Sequence, residues 1–107
     1  MTREEAQRVL AENRAKIDAI DRKLVELLNQ RTRAVEEIGR AKEATGLPVY
    51  EPQREDDVYR NVLANNEGPM SPDALRSVFE RIIDEMRSLQ KMRRDPAPHA
   101  QAQKGDS

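Results

Sequence analysis

Apolar residues recur at helical spacing through the first part of the chain, from about Thr2 to Ala44. This stretch contains no proline and one glycine, Gly39, and it is rich in Leu, Ala, Glu, Arg and Lys, so it predicts one long helix. A Thr-Gly-Leu-Pro sequence follows at 45–48. We expect Gly46 to cap the helix, because glycine accepts the left-handed conformation that commonly ends a helix.

Two shorter helical patterns follow the first. After Pro52, residues 53–65 predict a second helix, whose apolar residues are Val58, Val62 and Leu63. Ser71 is a good N-cap with Pro72 at the first helical position, and together they start a third helix that runs to about Arg94. Its apolar residues repeat at helical spacing and are Leu75, Val78, Phe79, Ile82, Ile83, Met86 and Leu89. The pattern therefore predicts an all-α chain with a very long N-terminal helix, a short second helix and a medium third.

The last segment, residues 95–107, has no apolar periodicity and contains mainly Pro, Ala, Gln, Gly and Ser among its uncharged residues. Such a composition predicts a disordered polar tail. The preceding residues, 1–94, are one domain's worth of chain. We therefore expect one helical domain at 1–94 followed by the tail.

The length of the first helix predicts an assembly. A helix of about 40 residues is roughly 60 Å long, whereas a compact chain of this length has a radius of gyration of only about 13 Å. Two short helices cannot cover its apolar side along the full length. A second copy around a two-fold axis would cover it, so we expect an intertwined homodimer.

Composition removes several classes of protein. Aromatic residues are 3% and charged residues 36% of the 107 residues, which disfavours a β-sandwich or barrel. Lys and Arg number 19 against 20 Asp and Glu, so there is no overall positive field for nucleic acid. The chain has no cysteine, and its one histidine, His99, lies in the predicted tail, so we expect neither metal nor cofactor. No apolar run approaches the roughly 18 residues that span a bilayer, and these features predict a soluble cytoplasmic protein without a membrane partner.

Charged residues interrupt the apolar stripe of the first helix. Steps of four and three place ten positions on one face: Leu10, Arg14, Ile17, Asp21, Leu24, Leu28, Arg31, Val35, Ile38 and Lys42. Burial of an unpaired cation costs several kcal/mol, so Arg14, Arg31 and Lys42 need anions.

Two interpretations supply those anions. In the first, the cations extend to solvent or pair across the dimer and fix its register; the acidic candidates are Asp21, Glu51 and Glu55. In the second, they line an enclosed pocket for a small polyanion, with guanidinium groups for its carboxylates. The later helices then add Arg54 beside Glu55, and Gln90 as a neutral donor one turn after Met86. The joint presence of four cations, an acid and an amide on inward faces favours the pocket.

Five segments carry these polar residues in a distinctive order: Arg14 to Asp21, Leu24 to Arg31, Ile38 to Lys42, Val49 to Glu55, and Phe79 to Gln90. In order, spacing and chemistry they resemble the all-helical chorismate mutases of the AroQ class, from about residue 8 to residue 92. The resemblance implies an intertwined dimer with two active sites, each completed by the long helix of the other chain. It also implies conversion of chorismate to prephenate on the route to phenylalanine and tyrosine. This unimolecular rearrangement needs no nucleophile, metal or general base.

The resemblance implies a role for each polar residue. Arg14 from the partner chain and Arg31 would bind substrate carboxylates. Lys42 would contact a carboxylate and the ether oxygen whose bond breaks, and Gln90 would donate to that same oxygen.

The remaining roles concern the ring hydroxyl and the second carboxylate. Glu55 would accept from the hydroxyl, the backbone near Glu51 would hold it, and Arg54 would support the second carboxylate. Met86 departs from the pattern, because many relatives carry a serine or another small residue there that helps to hold a carboxylate. Glu51 stands where some members have Asp, which matters little if the backbone makes the contact.

Two alternatives accompany the mutase interpretation. An isochorismate-pyruvate lyase of the same fold uses a similar cationic pocket, and a non-catalytic helical dimer would instead partner another shikimate-pathway enzyme. The mutase is favoured because Arg31, Lys42, Arg54, Glu55 and Gln90 occur together.

Overall fold

The computed structural model of the chain describes residues 1–94, so the predicted tail at 95–107 lies outside the described residues. It contains three α-helices: α1 spans Arg3–Thr45, α2 spans Pro52–Ala64 and α3 spans Pro72–Arg94. No strand occurs within residues 1–94. The all-α prediction is confirmed, and each helix boundary falls within one residue of the predicted position.

Side chains just before the helices satisfy the first backbone N–H groups of α1 and α3. Thr2 Oγ1 accepts from the Glu5 backbone N–H at 3.1 Å, and the Glu5 carboxylate accepts from the Thr2 N–H at 3.3 Å. This reciprocal pair is a capping box, which was not predicted from the sequence. At α3, Ser71 Oγ accepts from the Ala74 N–H at 3.2 Å, which confirms Ser71 as the N-cap.

The C-terminus of α1 ends at the predicted glycine. Gly46 has φ +71°, and the next residue, Leu47, donates its N–H to the Lys42 carbonyl at 2.9 Å. The Gly46 N–H reaches the Glu43 carbonyl at 3.4 Å. These two bonds form a Schellman motif, which satisfies carbonyls that the end of a helix otherwise leaves without partners.

Internal contacts divide the described chain into two units, residues 1–34 and 35–94. The first unit consists of the N-terminal part of α1, and no α1 residue is buried. Its apolar stripe is open to solvent, with exposed fractions of 49% for Leu10, 53% for Ile17, 49% for Leu24 and 40% for Leu28. The single chain therefore leaves the predicted apolar face of this unit uncovered.

The second unit contains the end of α1 together with α2 and α3, and α2 packs against α3. Ile83 is its most deeply buried apolar residue at 6% exposure. Predicted core positions around it are half-buried: Leu75, Phe79, Ile82, Met86 and Leu89 of α3, and Val58, Val62 and Leu63 of α2. Val78, which the spacing placed with them, is 46% exposed. Within residues 1–94, no helix has the apolar length that a bilayer crossing requires.

Candidate active site

Lys42 lies in the last turn of α1 and is largely withdrawn from solvent, with 12% of its side chain exposed. Its Nζ donates to the Val49 carbonyl at 3.0 Å and lies 2.7 Å from Glu51 Oε1. Both partners belong to the connector that precedes α2, so this connector folds back over the lysine. An ammonium has three N–H donors, and these contacts use two of them.

Gln90 of α3 lies against the same end of α1. Its Nε2 donates to the Val35 carbonyl at 3.3 Å, and its Cγ is 3.6 Å from the position that a Cβ on Gly39 would take. This separation is an ordinary van der Waals distance, so the Gln90 side chain packs against α1 at Gly39. The hydrogen bond is at the long end of the usual range, so the amide can be redirected toward a better acceptor.

Glu55 of α2 is held by an arginine that was not among the predicted site residues. Arg87 of α3 donates through Nε to Oε2 at 2.9 Å and through Nη2 to Oε1 at 2.5 Å. The side chains of Arg87 and Glu55 are 27% and 20% exposed. This bidentate contact raises the pKa of Arg87, and it outweighs burial, which lowers that pKa.

A sequence signal for Arg87 did exist. It lies four residues after the buried Ile83 and three before Gln90, so helical spacing places it on the face of α3 that carries both. It was missed because its partner, Glu55, is 32 positions away in sequence, and helical periodicity within α3 says nothing about which residue of α2 it meets.

The other predicted residues are placed as follows. Arg54 is exposed in the first turn of α2, and Met86 is half-buried on α3 one turn before Gln90. Arg14, which is exposed, and Arg31, which is half-buried, belong to the first unit, residues 1–34. Their roles toward a substrate stay predictions.

The second unit brings α2 and the end of α1 to one turn of α3, residues 87–90. Arg87 meets Glu55 of α2, and Gln90 meets the backbone of α1 beside Gly39, one turn before Lys42. Two of the acids that were candidates to pair with the cations of α1 across a dimer have partners within the chain. Glu51 pairs with Lys42, and Glu55 pairs with Arg87. Lys42 and Arg87 therefore each face a carboxylate of their own chain.

No group of three or more acidic or histidine side chains within the described residues has an arrangement that would hold a metal ion. Lys42 and Gln90 present an ammonium and an amide as donors. Fixed donors of this kind bind anionic groups and stabilise an oxygen on which negative charge develops.

Comparison with known proteins gives a consistent set of relatives. The family model for chorismate mutase type II matches residues 13–91. The chain is 34% identical over 86 residues to a bifunctional chorismate mutase/prephenate dehydratase of Aquifex aeolicus, covering 77% of this chain and 24% of that protein. It is 30% identical over 83 residues to a chorismate mutase of Methanocaldococcus jannaschii, covering 77% of this chain and 84% of the relative.

A solved structure agrees with these matches. A chorismate mutase of Thermus thermophilus, in the form called Form II, superposes with a TM-score of 0.75 at 33% identity and covers 77% of this chain and 93% of that one. The chain spans about a quarter of the length of the bifunctional relatives that it matches.

Proposed function

Because the chain belongs to the chorismate mutase type II family, we propose that it catalyses the rearrangement of chorismate to prephenate. The observation that carries the proposal is the pair of donors at the end of α1. The withdrawn Lys42 ammonium is presented by α1 and the Gln90 amide by α3, and the hydrogen bond from Gln90 to the Val35 carbonyl joins the two helices.

The proposed reaction suits such a site. Chorismate rearranges without an external nucleophile or base, so an enzyme accelerates the reaction by holding the compact conformer in which the two carboxylate-bearing arms meet. As the ether bond breaks, negative charge develops on its oxygen. Donors fixed in a poorly solvated position stabilise that charge better than water does, and Lys42 and Gln90 are assigned this role.

Substrate binding would redistribute contacts that the free chain already makes. Gln90 exchanges the Val35 carbonyl, a long hydrogen bond at 3.3 Å, for the ether oxygen. Lys42 keeps its connector contacts and directs its third donor to the substrate. Glu55 accepts from the ring hydroxyl, while the carboxylates are bound by Arg31 and Arg54 and by Arg14 from a partner chain.

A homodimer completes the proposal. The apolar stripe of residues 1–34 is 40–53% exposed at Leu10, Ile17, Leu24 and Leu28. Monomeric soluble proteins rarely leave a large apolar patch uncovered. A second copy of α1 supplies the matching surface, and the same contact carries Arg14 into the partner's site. Prephenate formation would place the protein in phenylalanine and tyrosine biosynthesis.

The test is the loss of chorismate absorbance on addition of the purified protein, with identification of the product. We expect prephenate, and Lys42→Ala is expected to abolish the activity because it removes a cation and an ether-oxygen donor together. Arg40→Ala is a matched control, since Arg40 lies two residues away and pairs locally with Glu37 on the exposed side of the helix. Release of pyruvate from isochorismate would identify a lyase instead, and absence of any turnover would favour a non-catalytic partner protein.

A further inference from the structure

The ion pair between Arg87 and Glu55 joins α3 to the start of α2 within the second unit. Both carboxylate oxygens of Glu55 are engaged by one guanidinium, at 2.9 and 2.5 Å. Bidentate contacts of this type fix the orientation of a carboxylate as well as its position, which a single-point contact with a lysine cannot do.

Further contacts restrain the guanidinium itself. Asp84, one turn earlier on α3, lies 3.4 Å from Arg87 Nη1, and the centre of the Tyr50 ring lies 5.1 Å from the guanidinium carbon. Arg87 is thus held from its own helix by Asp84, from the connector by Tyr50 and from α2 by Glu55. This exceeds what an exposed helical ion pair such as Arg81–Glu85, 2.9 Å apart, provides.

The pair leaves Glu55 able to accept another hydrogen bond. An ionised carboxylate offers about four lone-pair sites, and Arg87 occupies two of them. The carboxylate therefore remains an acceptor for a hydroxyl while its rotation is restricted.

We propose that Arg87 is a positioning residue for the reaction, which fixes the Glu55 carboxylate toward the ring hydroxyl of the substrate. The inference rests on the proposed function, because it assigns Arg87 a task only if Glu55 meets that hydroxyl. Arg87 itself touches neither the substrate nor the ether oxygen, and it acts through Glu55 alone.

The experiment is a double-mutant cycle on the whole 107-residue chain with chorismate as substrate. Arg87→Gln is expected to lower kcat/KM about 10-fold or more, since small displacements of positioning groups are costly. In a Glu55→Gln background the same change is expected to lower kcat/KM less than about 2-fold, because the group that Arg87 orients is already altered. Arg87→Lys retains the charge but not the bidentate hydrogen bonding of the guanidinium, so its kcat/KM should lie between those of Arg87→Gln and the wild type.

Arg93→Gln is the matched control. Arg93 also lies on α3 and pairs at 3.2 Å with a carboxylate of another helix, Glu36, but this pair is more exposed, at 36% and 34%, and does not involve Glu55. The variant should keep kcat/KM within about 2-fold of the wild type, as expected for a surface pair.

Three outcomes would overturn the inference. An equal loss from Arg87→Gln with and without Glu55→Gln would show that Arg87 does not act through Glu55. The pair would be purely structural if Arg87→Gln and Glu55→Gln were coupled in the free energy of unfolding while the folded variants kept the wild-type kcat/KM. If Arg87→Gln does not fold, Arg87→Lys at wild-type kcat/KM gives the same negative answer. Absence of turnover by the wild-type protein would remove the proposed function as well, whereas the first three results leave it intact.

Discussion

Lys42 shows how one residue serves both the fold and the proposed chemistry. Its carbonyl accepts the hydrogen bond that closes the end of α1, while its ammonium is withdrawn from solvent between the Val49 carbonyl and Glu51. Desolvation of a cation is unfavourable unless hydrogen bonds and an opposite charge compensate for it. The connector supplies both, and so it keeps a charged donor in a site where its field is weakly screened.

Among single residues, Gln90 provides the sharpest test of the proposed mechanism. Gln90→Glu preserves size but places negative charge beside an oxygen that becomes negative, and the ionised carboxylate has no proton to donate. We expect the variant to be poor at neutral pH and to recover as the pH falls and the carboxylate becomes a protonated donor. The measurement is kcat/KM for chorismate against pH.

Gln90→Ala is the companion variant, since it has no donor at any pH. Its rate should be depressed throughout, by roughly 10²-fold or more on the scale of lost oxyanion donors. If Gln90→Glu kept the wild-type rate at neutral pH, Gln90 could not be the donor to the ether oxygen.

Among the helices, the end of α1 determines where the connector begins and hence how Lys42 is covered. Gly46 has φ +71°, and a Cβ added there would meet no heavy atom within 4 Å. The glycine is therefore required by backbone conformation and not by space. The two hydrogen bonds of this cap end at Lys42 and Glu43, so the cap and the candidate site share a residue.

Gly46→Ala is expected to reduce the free energy of unfolding by about 1–2 kcal/mol, the usual penalty for an L-residue in the left-handed region. Gly46→Asn should lose less, because asparagine tolerates this conformation. Urea unfolding of the three proteins at one fixed protein concentration measures the difference. Equal stability of Ala and Gly at this position would show that the left-handed conformation carries no penalty here.

For the proposed homodimer, the exposed stripe of residues 1–34 and the proposed role of Arg14 together predict a site that is shared between two chains. If Arg14 serves the partner's site while Lys42 serves its own, the two defects lie in different chains. Mixing inactive Arg14→Ala with inactive Lys42→Ala should then create heterodimers in which one site carries both defects and the other carries neither. About a quarter of wild-type activity should return when equal amounts exchange randomly, since half the dimers are mixed and each has one intact site.

The measurement is chorismate turnover before and after subunit exchange. Light scattering at twice the monomer mass for each variant is the control that both proteins assemble. A second control mixes two samples of Arg14→Ala that carry different affinity tags. Recovery of both tags in one dimer shows that subunits have exchanged, and this mixture should gain no activity. Exchange without recovery in the mixed sample would place both residues in the site of one chain.

The helices and the candidate chemistry could be predicted from the amino-acid sequence. Helix ends depend on signals within a few residues, such as Ser71 before Pro72 or Gly46 before Pro48, and these act locally whatever the rest of the chain does. The interruption of an apolar stripe by cations is equally visible in one dimension. The order of the polar residues then indicated the family, which the match over residues 13–91 established.

The pairing of charged groups, in contrast, was settled by the packing of the helices. Lys42 of α1 pairs with Glu51 of the connector before α2, and Arg87 of α3 pairs with Glu55 of α2. Periodicity gives the rotation of each helix about its own axis, but it does not give the axial register of one helix against another. That register depends on contacts between helices, such as the hydrogen bond from Gln90 to the Val35 carbonyl. It is why Glu55 was expected to serve the substrate but its partner Arg87 was not foreseen.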